Sequence, residues 1–295
     1  MISRQARLLW ELFRNGPRMI ELPLAERRAA AIGAEEMTTE PEGVTFADAG
    51  LVDGLWANPD DHREGAGMLY LYGGGYAIGT PETRRKTAGH LAAATGARVL
   101  VPSYRLAPEH PFPAALDDAV AAWTWMVSQN TSAARSTIAG DSAGGGLAVA
   151  TALALRDRAL PAPAGVVALS PWTDLSCGGE TMATRAAADL CCTQAGLAEM
   201  GRWYAGAADL RTPLVSPNFA DLSRLPPLLC LAGGDEVLLD DAVRLVKDAG
   251  MSGTNATLFI GAGMQHVWPI WAGLLPEADA AMALIGGWVR GLGSK

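Results

Sequence analysis

Ser136-Thr137-Ile138-Ala139-Gly140-Asp141-Ser142-Ala143-Gly144-Gly145-Gly146 is the stretch that decides the fold. Residues 136–139 have strand texture, Gly140 to Gly144 spell G-x-S-x-G, and the small-residue run 143–156 reads as a helix. A strand that turns sharply into a helix needs glycine where the two backbones crowd. Such a turn lifts the Ser142 hydroxyl clear of the sheet. It also sets it at a helix N-terminus, where developing negative charge is favoured. An ordinary glycine-rich strand–helix turn is the bland alternative. A phosphate loop is excluded, because no G-x-x-x-x-G-K-[ST] occurs.

Working outward, the same texture repeats on both sides. Val44-Thr45-Phe46 and residues 51–56 read as two strands joined closely, hence an antiparallel edge. Further strands follow at 68–72, 98–101, 136–139, 166–169, 228–232 and 256–260. Several are short and almost uniformly apolar, as strands buried on both faces are. Helical patterns lie between them. Leu116, Ala119, Val120, Trp123 and Val127 share one face. Ala281, Leu284, Ile285, Trp288 and Val289 share another, after Pro276 as a helix starter. This alternation specifies an α/β fold with a mostly parallel eight-stranded sheet and helices on both faces.

Two regions depart from the alternation. The N-terminal part is helical. Leu8, Leu9, Leu12 and Phe13 form an apolar stripe, Gly16-Pro17 interrupts, and a second helix begins near Leu24. Residues 176–225 have helical texture and no strand signal. They read as an insertion at the C-terminal edge of the sheet, where ligands of α/β proteins sit. The expected organisation is N-terminal cap helices in 1–42, a catalytic domain in 43–175 and 226–295, and a second part of the cap in 176–225.

Composition narrows the function classes. With 23 Lys+Arg against 31 Asp+Glu, the net charge of the 295-residue chain is −8. That argues against nucleic acid or an anionic membrane as the main partner. Cys177, Cys191, Cys192 and Cys230 form no C-x-x-C pair and read as buried or incidental thiols of a reducing compartment. The apolar run Leu8-Leu9-Trp10 is far shorter than the roughly 7–15 residues of a secretory h-region. The expectation is a cytoplasmic protein with no stable membrane insertion. No H-E-x-x-H or comparable ligand spacing occurs, so neither a metal nor an organic cofactor is implied.

A serine nucleophile needs a base, and the base an orienting carboxylate. Only His266 follows Ser142; His62, His90 and His110 precede it. Hydrolases known to carry G-x-S-x-G in such a strand–turn–helix place the residues in the order Ser, then acid, then His. For the acid, Asp235 follows the seventh strand in Leu231-Ala232-Gly233-Gly234-Asp235-Glu236, and the glycine turn aims it toward the His266 loop. Glu236, Asp240 and Asp241 are competitors, the last two near a helix start where acids serve as caps. Tyr72-Gly73-Gly74-Gly75, after the third strand, holds the position of an oxyanion loop.

Taken together, these residues resemble the hormonesensitive-lipase-like (bacterial family IV) esterases of the α/β-hydrolase superfamily. The resemblance spans nearly the whole chain. Besides 140–145 it rests on Tyr104-Arg105-Leu106-Ala107-Pro108-Glu109-His110-Pro111-Phe112-Pro113-Ala114-Ala115, on Ser170-Pro171-Trp172-Thr173-Asp174-Leu175 and on Gly234-Asp235-Glu236-Val237-Leu238-Leu239-Asp240. It implies an α/β-hydrolase fold with Ser142, Asp235 and His266 as triad, and Gly74, Gly75 and Ala143 as oxyanion donors. It also implies a helical cap, and acetyl esters or monoterpene lactones among the substrates of relatives. Tyr72 stands where the family has the histidine of His-Gly-Gly-Gly, so a phenol hydrogen bond is expected to support the loop. The expected function is a serine carboxylesterase acting on small short- to medium-chain esters through an acyl-enzyme. A lactone hydrolase or amidase with the same triad is the alternative, and a non-catalytic ligand-binding member of the fold the remote one. A homodimer stays open.

Overall fold

The computed structural model describes residues 2–50, 53–129 and 131–292. Among them one eight-stranded sheet contains β1 (Val44–Asp48), β2 (Gly54–Pro59), β3 (Gly67–Leu71), β4 (Arg98–Pro102), β5 (Thr137–Asp141), β6 (Gly165–Leu169), β7 (Leu228–Gly233) and β8 (Ala256–Gly261). Their spatial order is β1-β2-β4-β3-β5-β6-β7-β8. β2 is antiparallel to β1 and to β4, and the remaining pairs are parallel. The second strand starts three residues later than its sequence pattern suggests. Leu51 and Val52 of that pattern lie outside the described residues.

Position in the sheet explains composition. Every residue of β3, β5, β6 and β7 is buried, so both faces of the sheet are covered and apolar side chains are needed on both. The edge strands β1 and β8 mix exposed and half-buried positions, with only Gly261 of β8 buried. The helices are α1 (Arg4–Asn15), α2 (Leu24–Glu36), α3 (Arg85–Thr95), α4 (Ala114–Ser128), α5 (Ala143–Asp157), α6 (Thr181–Thr184), α7 (Gln194–Ala205), α8 (Leu239–Met251) and α9 (Pro276–Gly291). α3 packs with α9 and α4 with α5 against the sheet. α5 is buried without a break from Ala143 to Leu155, which accounts for its run of Gly, Ala, Leu and Val. None of the described helices is long and apolar enough to cross a membrane.

Side-chain caps start two of the outlying helices. Ser3 accepts the Ala6 N–H at 3.0 Å and Thr193 accepts that of Gly196 at 3.2 Å. The N-terminal stripe needs a correction. α1 buries Ala6, Leu9 and Trp10, with Phe13 half-buried, whereas Leu8 and Leu12 are 56% and 57% exposed. Periodicity identified an apolar helix, but the docked face is rotated from the expected one toward the bulkier Trp10. Arg27 of α2 pairs with Glu199 of α7 at 2.7 Å, while Arg28 forms a two-pronged bond to Glu109 at 2.8 and 2.7 Å. α2 is thus tied both to α7 and to the body of the molecule.

The parallel strands deliver their C-terminal ends to one edge, where the turn after β5 is the tightest point. A Cβ on Gly140 would overlap the Gly144 carbonyl, and one on Gly144 would overlap the carbonyls of Leu71 and Tyr72. Replacing Gly144 by Ala forces backbone apart rather than a side chain aside. We expect Gly144→Ala to cost about 3 kcal/mol or more, above the usual range for overpacking. Thermal unfolding should show a midpoint at least about 6 °C lower; an unchanged midpoint would refute the close approach.

Candidate active site

Ser142 sits in that turn with φ 54° and ψ −122°, a conformation that side chains rarely adopt. Neighbouring backbone holds it there. Its N–H donates to Leu169 O at 2.8 Å, and its carbonyl accepts from Trp172 and Gly146 at 2.9 and 3.1 Å. Such strain persists only where the surroundings over-determine it. Ser142 Oγ lies 2.9 Å from His266 Nε2. His266 follows β8 and is held from behind by Ser170, whose hydroxyl accepts the Val267 N–H at 3.0 Å.

The carboxylate on the far side of the imidazole is Glu236, with Oε2 2.6 Å from His266 Nδ1. This corrects the choice of Asp235. The turn after β7 buries Glu236 completely and leaves Asp235 half-buried. The Asp235 backbone N–H bonds to Met264 O at 3.1 Å, joining the two loops, while Glu236 Oε1 accepts the Gly233 N–H at 2.7 Å. A glutamate thereby folds back over its own turn and reaches the ring. Asp240 and Asp241 serve another task. Asp241 accepts the N–H groups of Thr173 and Asp174 at 2.9 and 2.8 Å, and Arg244 bridges both acids.

His266 is pulled two ways. Burial lowers the pKa of the imidazole. The hydrogen bond and charge of Glu236, aided by Asp189 and Asp141, raise it, and the net shift is upward. The ring therefore binds a proton more readily than a free imidazole.

The loop after β3 carries the other expected groups. Gly74 and Gly75 have φ of 125° and 60°, where glycine is needed. The N–H groups of Gly74, Gly75 and Ala143 have no acceptor among the described residues. Met200 of α7 lies so close to Gly75 that a Cβ there would collide with its sulfur. The loop is anchored by a network the sequence reading missed. Asp141 Oδ1 accepts from Gly73 N–H at 2.9 Å and from the Tyr70 hydroxyl at 2.7 Å. Arg84 donates to Asp141 Oδ2 through Nε and Nη2, at 3.3 and 3.2 Å. The adjacency of Asp141 to Ser142 was the available signal; the arginine, 57 residues away in sequence, gave none.

Tyr72 does not reach the open face of this loop. Its hydroxyl accepts the Tyr104 N–H at 3.3 Å, its ring stacks on Tyr104 at 4.2 Å, and it underlies Gly79 at the loop's far end. Burial pushes the phenol pKa up, so the group stays neutral. The expected phenol bond exists, but it secures the segment after β4.

A cavity of about 510 Å³ opens over these groups and is lined by Gly73, Gly74, Gly75, Ser142 and His266. Leu12, Phe13, Leu197, Met200, Ile270 and Trp271 give it an apolar wall, and Thr38, Thr83, Arg84 and Thr87 a polar one. This volume suits a small molecule.

Known proteins resemble this chain along most of its length. The pattern defining the α/β-hydrolase fold matches residues 68–270. An acetyl-hydrolase of Streptomyces hygroscopicus is 40% identical over 299 residues, covering 98% of this chain and 97% of the relative. An ethyl acetate hydrolase of Pseudomonas putida is 33% identical over 240 residues, 78% of this chain and 75% of its own. The crystal structure of an esterase from the bacterial hormone-sensitive lipase family superposes with a TM-score of 0.94, at 37% identity over 99% of both chains.

Two expectations follow from the geometry. Glu236→Gln should slow covalent labelling of Ser142 by an organophosphonate about 10³-fold or more, through loss of imidazole orientation. Asp235→Asn should slow it less than about tenfold, and the reverse ranking would restore Asp235. Tyr72→Phe leaves the Tyr104 N–H without its partner, a cost of about 1–3 kcal/mol. It should lower the unfolding midpoint by roughly 2–10 °C and leave the labelling rate within about twofold. A labelling rate reduced as far as by Glu236→Gln would place Tyr72 in the chemistry.

Proposed function

We propose a serine carboxylesterase, and the premise is one of kinship: the chain belongs to the α/β-hydrolase-fold family, in its bacterial hormone-sensitive-lipase branch. The observation that carries the proposal is the unbroken line Ser142–His266–Glu236, at 2.9 and 2.6 Å, beneath a cavity sized for a small ester.

In this reading His266 Nε2 takes the Ser142 proton as Oγ attacks the ester carbonyl. The imidazolium that results is stabilised by Glu236 at Nδ1. The N–H groups of Gly74, Gly75 and Ala143 receive the oxyanion, and with no other acceptor among the described residues they need no rearrangement to do so. His266 then gives its proton to the leaving alcohol. Water repeats the attack on the acyl-enzyme and frees the acid. Asp141 keeps the oxyanion loop in place, its charge offset by Arg84. The segments 1–42 and 176–225 form the cap, which supplies Phe13 and Leu12 from one side and Leu197 and Met200 from the other. The apolar wall favours short- to medium-chain acyl groups. Lactones and amides are the alternative substrates of the same machinery. The enzyme is cytoplasmic in this reading, in keeping with its four free cysteines. Exposed Phe259 and Ile260 on the edge strand β8 favour a homodimer.

A panel of esters of increasing acyl length, a lactone and an anilide tests the substrate reading. Ester hydrolysis should dominate and fall about 10⁴–10⁶-fold in Ser142→Ala. Its pH dependence is also fixed in sign. His266 must be neutral to accept the proton, so the rate falls as pH drops through its pKa. Because that pKa is raised, the acidic limb of kcat/KM should be centred above about 6.5, the ordinary imidazole value. A limb centred below that value would contradict the charge balance around the ring.

A further inference from the structure

Asp189 is fully buried, and the mechanism above does not use it. It has no cationic partner among the described residues. Its Oδ1 accepts the N–H groups of Cys191 and Cys192, both at 2.7 Å, and its Oδ2 that of Val237 at 2.8 Å. Val237 directly follows Glu236. On either side of Asp189 the chain is bonded to the other catalytic loop. Leu190 N–H donates to Gln265 Oε1 at 2.8 Å, and Gln265 Nε2 donates to Ala188 O at 3.1 Å. Gln265 directly precedes His266. Residues 188–192 therefore clamp the two loops that carry Glu236 and His266. The same segment walls the substrate cavity through Leu190, Cys191 and Cys192.

We propose that Asp189 is a positioning residue for hydrolysis: it fixes the Glu236 turn against His266 and adds a second buried negative charge that favours the imidazolium of the transition state. This rests on the serine-hydrolase reading. The charges facing His266 are few. Glu236 and Asp189 lie behind it, after β7 and in the inserted segment. Asp141, at the end of β5, is offset by Arg84 at 3.2 Å. The Cys191 and Cys192 thiols are kept neutral by burial, and Arg18 acts on both only weakly. Among the described residues neither carboxylate has a cationic side chain of its own; Glu236 touches the imidazole directly, and Asp189 acts on it through its charge alone. Burial lowers the proton affinity of that ring; Glu236 and then Asp189 restore it.

The test compares three variants, each normalised to active sites titrated with an organophosphonate. Asp189→Asn removes the charge and turns a donor toward backbone N–H groups. It should lower kcat about tenfold or more and move the acidic limb of kcat/KM downward by a few tenths to one pH unit. Asp189→Glu keeps the charge and should leave the limb within about 0.2 units of wild type, whatever its kcat. Gln265→Ala cuts the other clamp without altering charge. It should raise KM by loosening the cavity wall and leave the limb in place. An unmoved limb in Asp189→Asn overturns the proposal. If Asp189→Asn does not fold, Asp189→Ser takes its place under the same criterion. Collapse of both, with Gln265→Ala folded, would assign Asp189 to the fold alone and also overturn it. A wild-type protein whose Ser142 is not labelled would instead overturn the serine-hydrolase reading itself.

Discussion

Backbone packed on backbone, with no side chain between, is the constraint on which the rest depends. The carbonyl oxygen of Leu71 occupies the place a Cβ on residue 144 would need, and that of Gly144 the place of one on residue 140. This contact lets β5 turn into α5 within a residue or two. It holds Ser142 in its unusual conformation and brings the end of β3 beside that residue. Asp141 is then near enough to hold Gly73 directly. The Ser142 hydroxyl and the neighbouring N–H groups of the glycine loop are consequently placed by one event rather than two. Interior packing of this density leaves little room to adjust.

Much of this was legible in the chain. The eight strands appear where uniform apolar runs sat between turn residues, because central parallel strands must be apolar on both faces. The pairing of Ser142 with His266 was expected because a sharp turn demands glycine and only one histidine follows it, and the structure brings the two side chains within 2.9 Å. The acid was not. Asp235 and Glu236 are adjacent in a glycine turn, and sequence says nothing about which of two neighbouring carboxylates points into the protein. One extra methylene and a bond to Gly233 settle that for Glu236. The α1 stripe failed for a related reason. A helix with apolar residues at 8, 9, 10, 12 and 13 offers more than one face, and only the docked surface selects between them. Arg84 was invisible because Asp141 lies 57 residues away, and the role of Asp189 because Val237, which ties it to the Glu236 turn, lies 48 residues away.

The charges are distributed unequally, and that has chemical meaning. Asp141 spends its charge on Arg84, so it works as a hydrogen-bonding post for the glycine loop. Among the described residues Glu236 accepts only a backbone N–H besides the imidazole. Similar carboxylates at the ends of β5 and β7, with β6 between them, thus do different work, decided by whether a guanidinium stands beside them. The sheet edge gathers them; their partners assign the roles.

Met200 touches both halves of the problem. It belongs to the wall of the cavity, and its sulfur rests against Gly75. Enlarging the cavity at this position would also withdraw the support of a glycine whose backbone is free to move. Selection for a bulkier substrate at residue 200 would therefore act on turnover at the same time. In evolutionary terms the two traits are linked at that site, and a lineage can separate them by changing the wall elsewhere, at Leu12 or Ile270 for example.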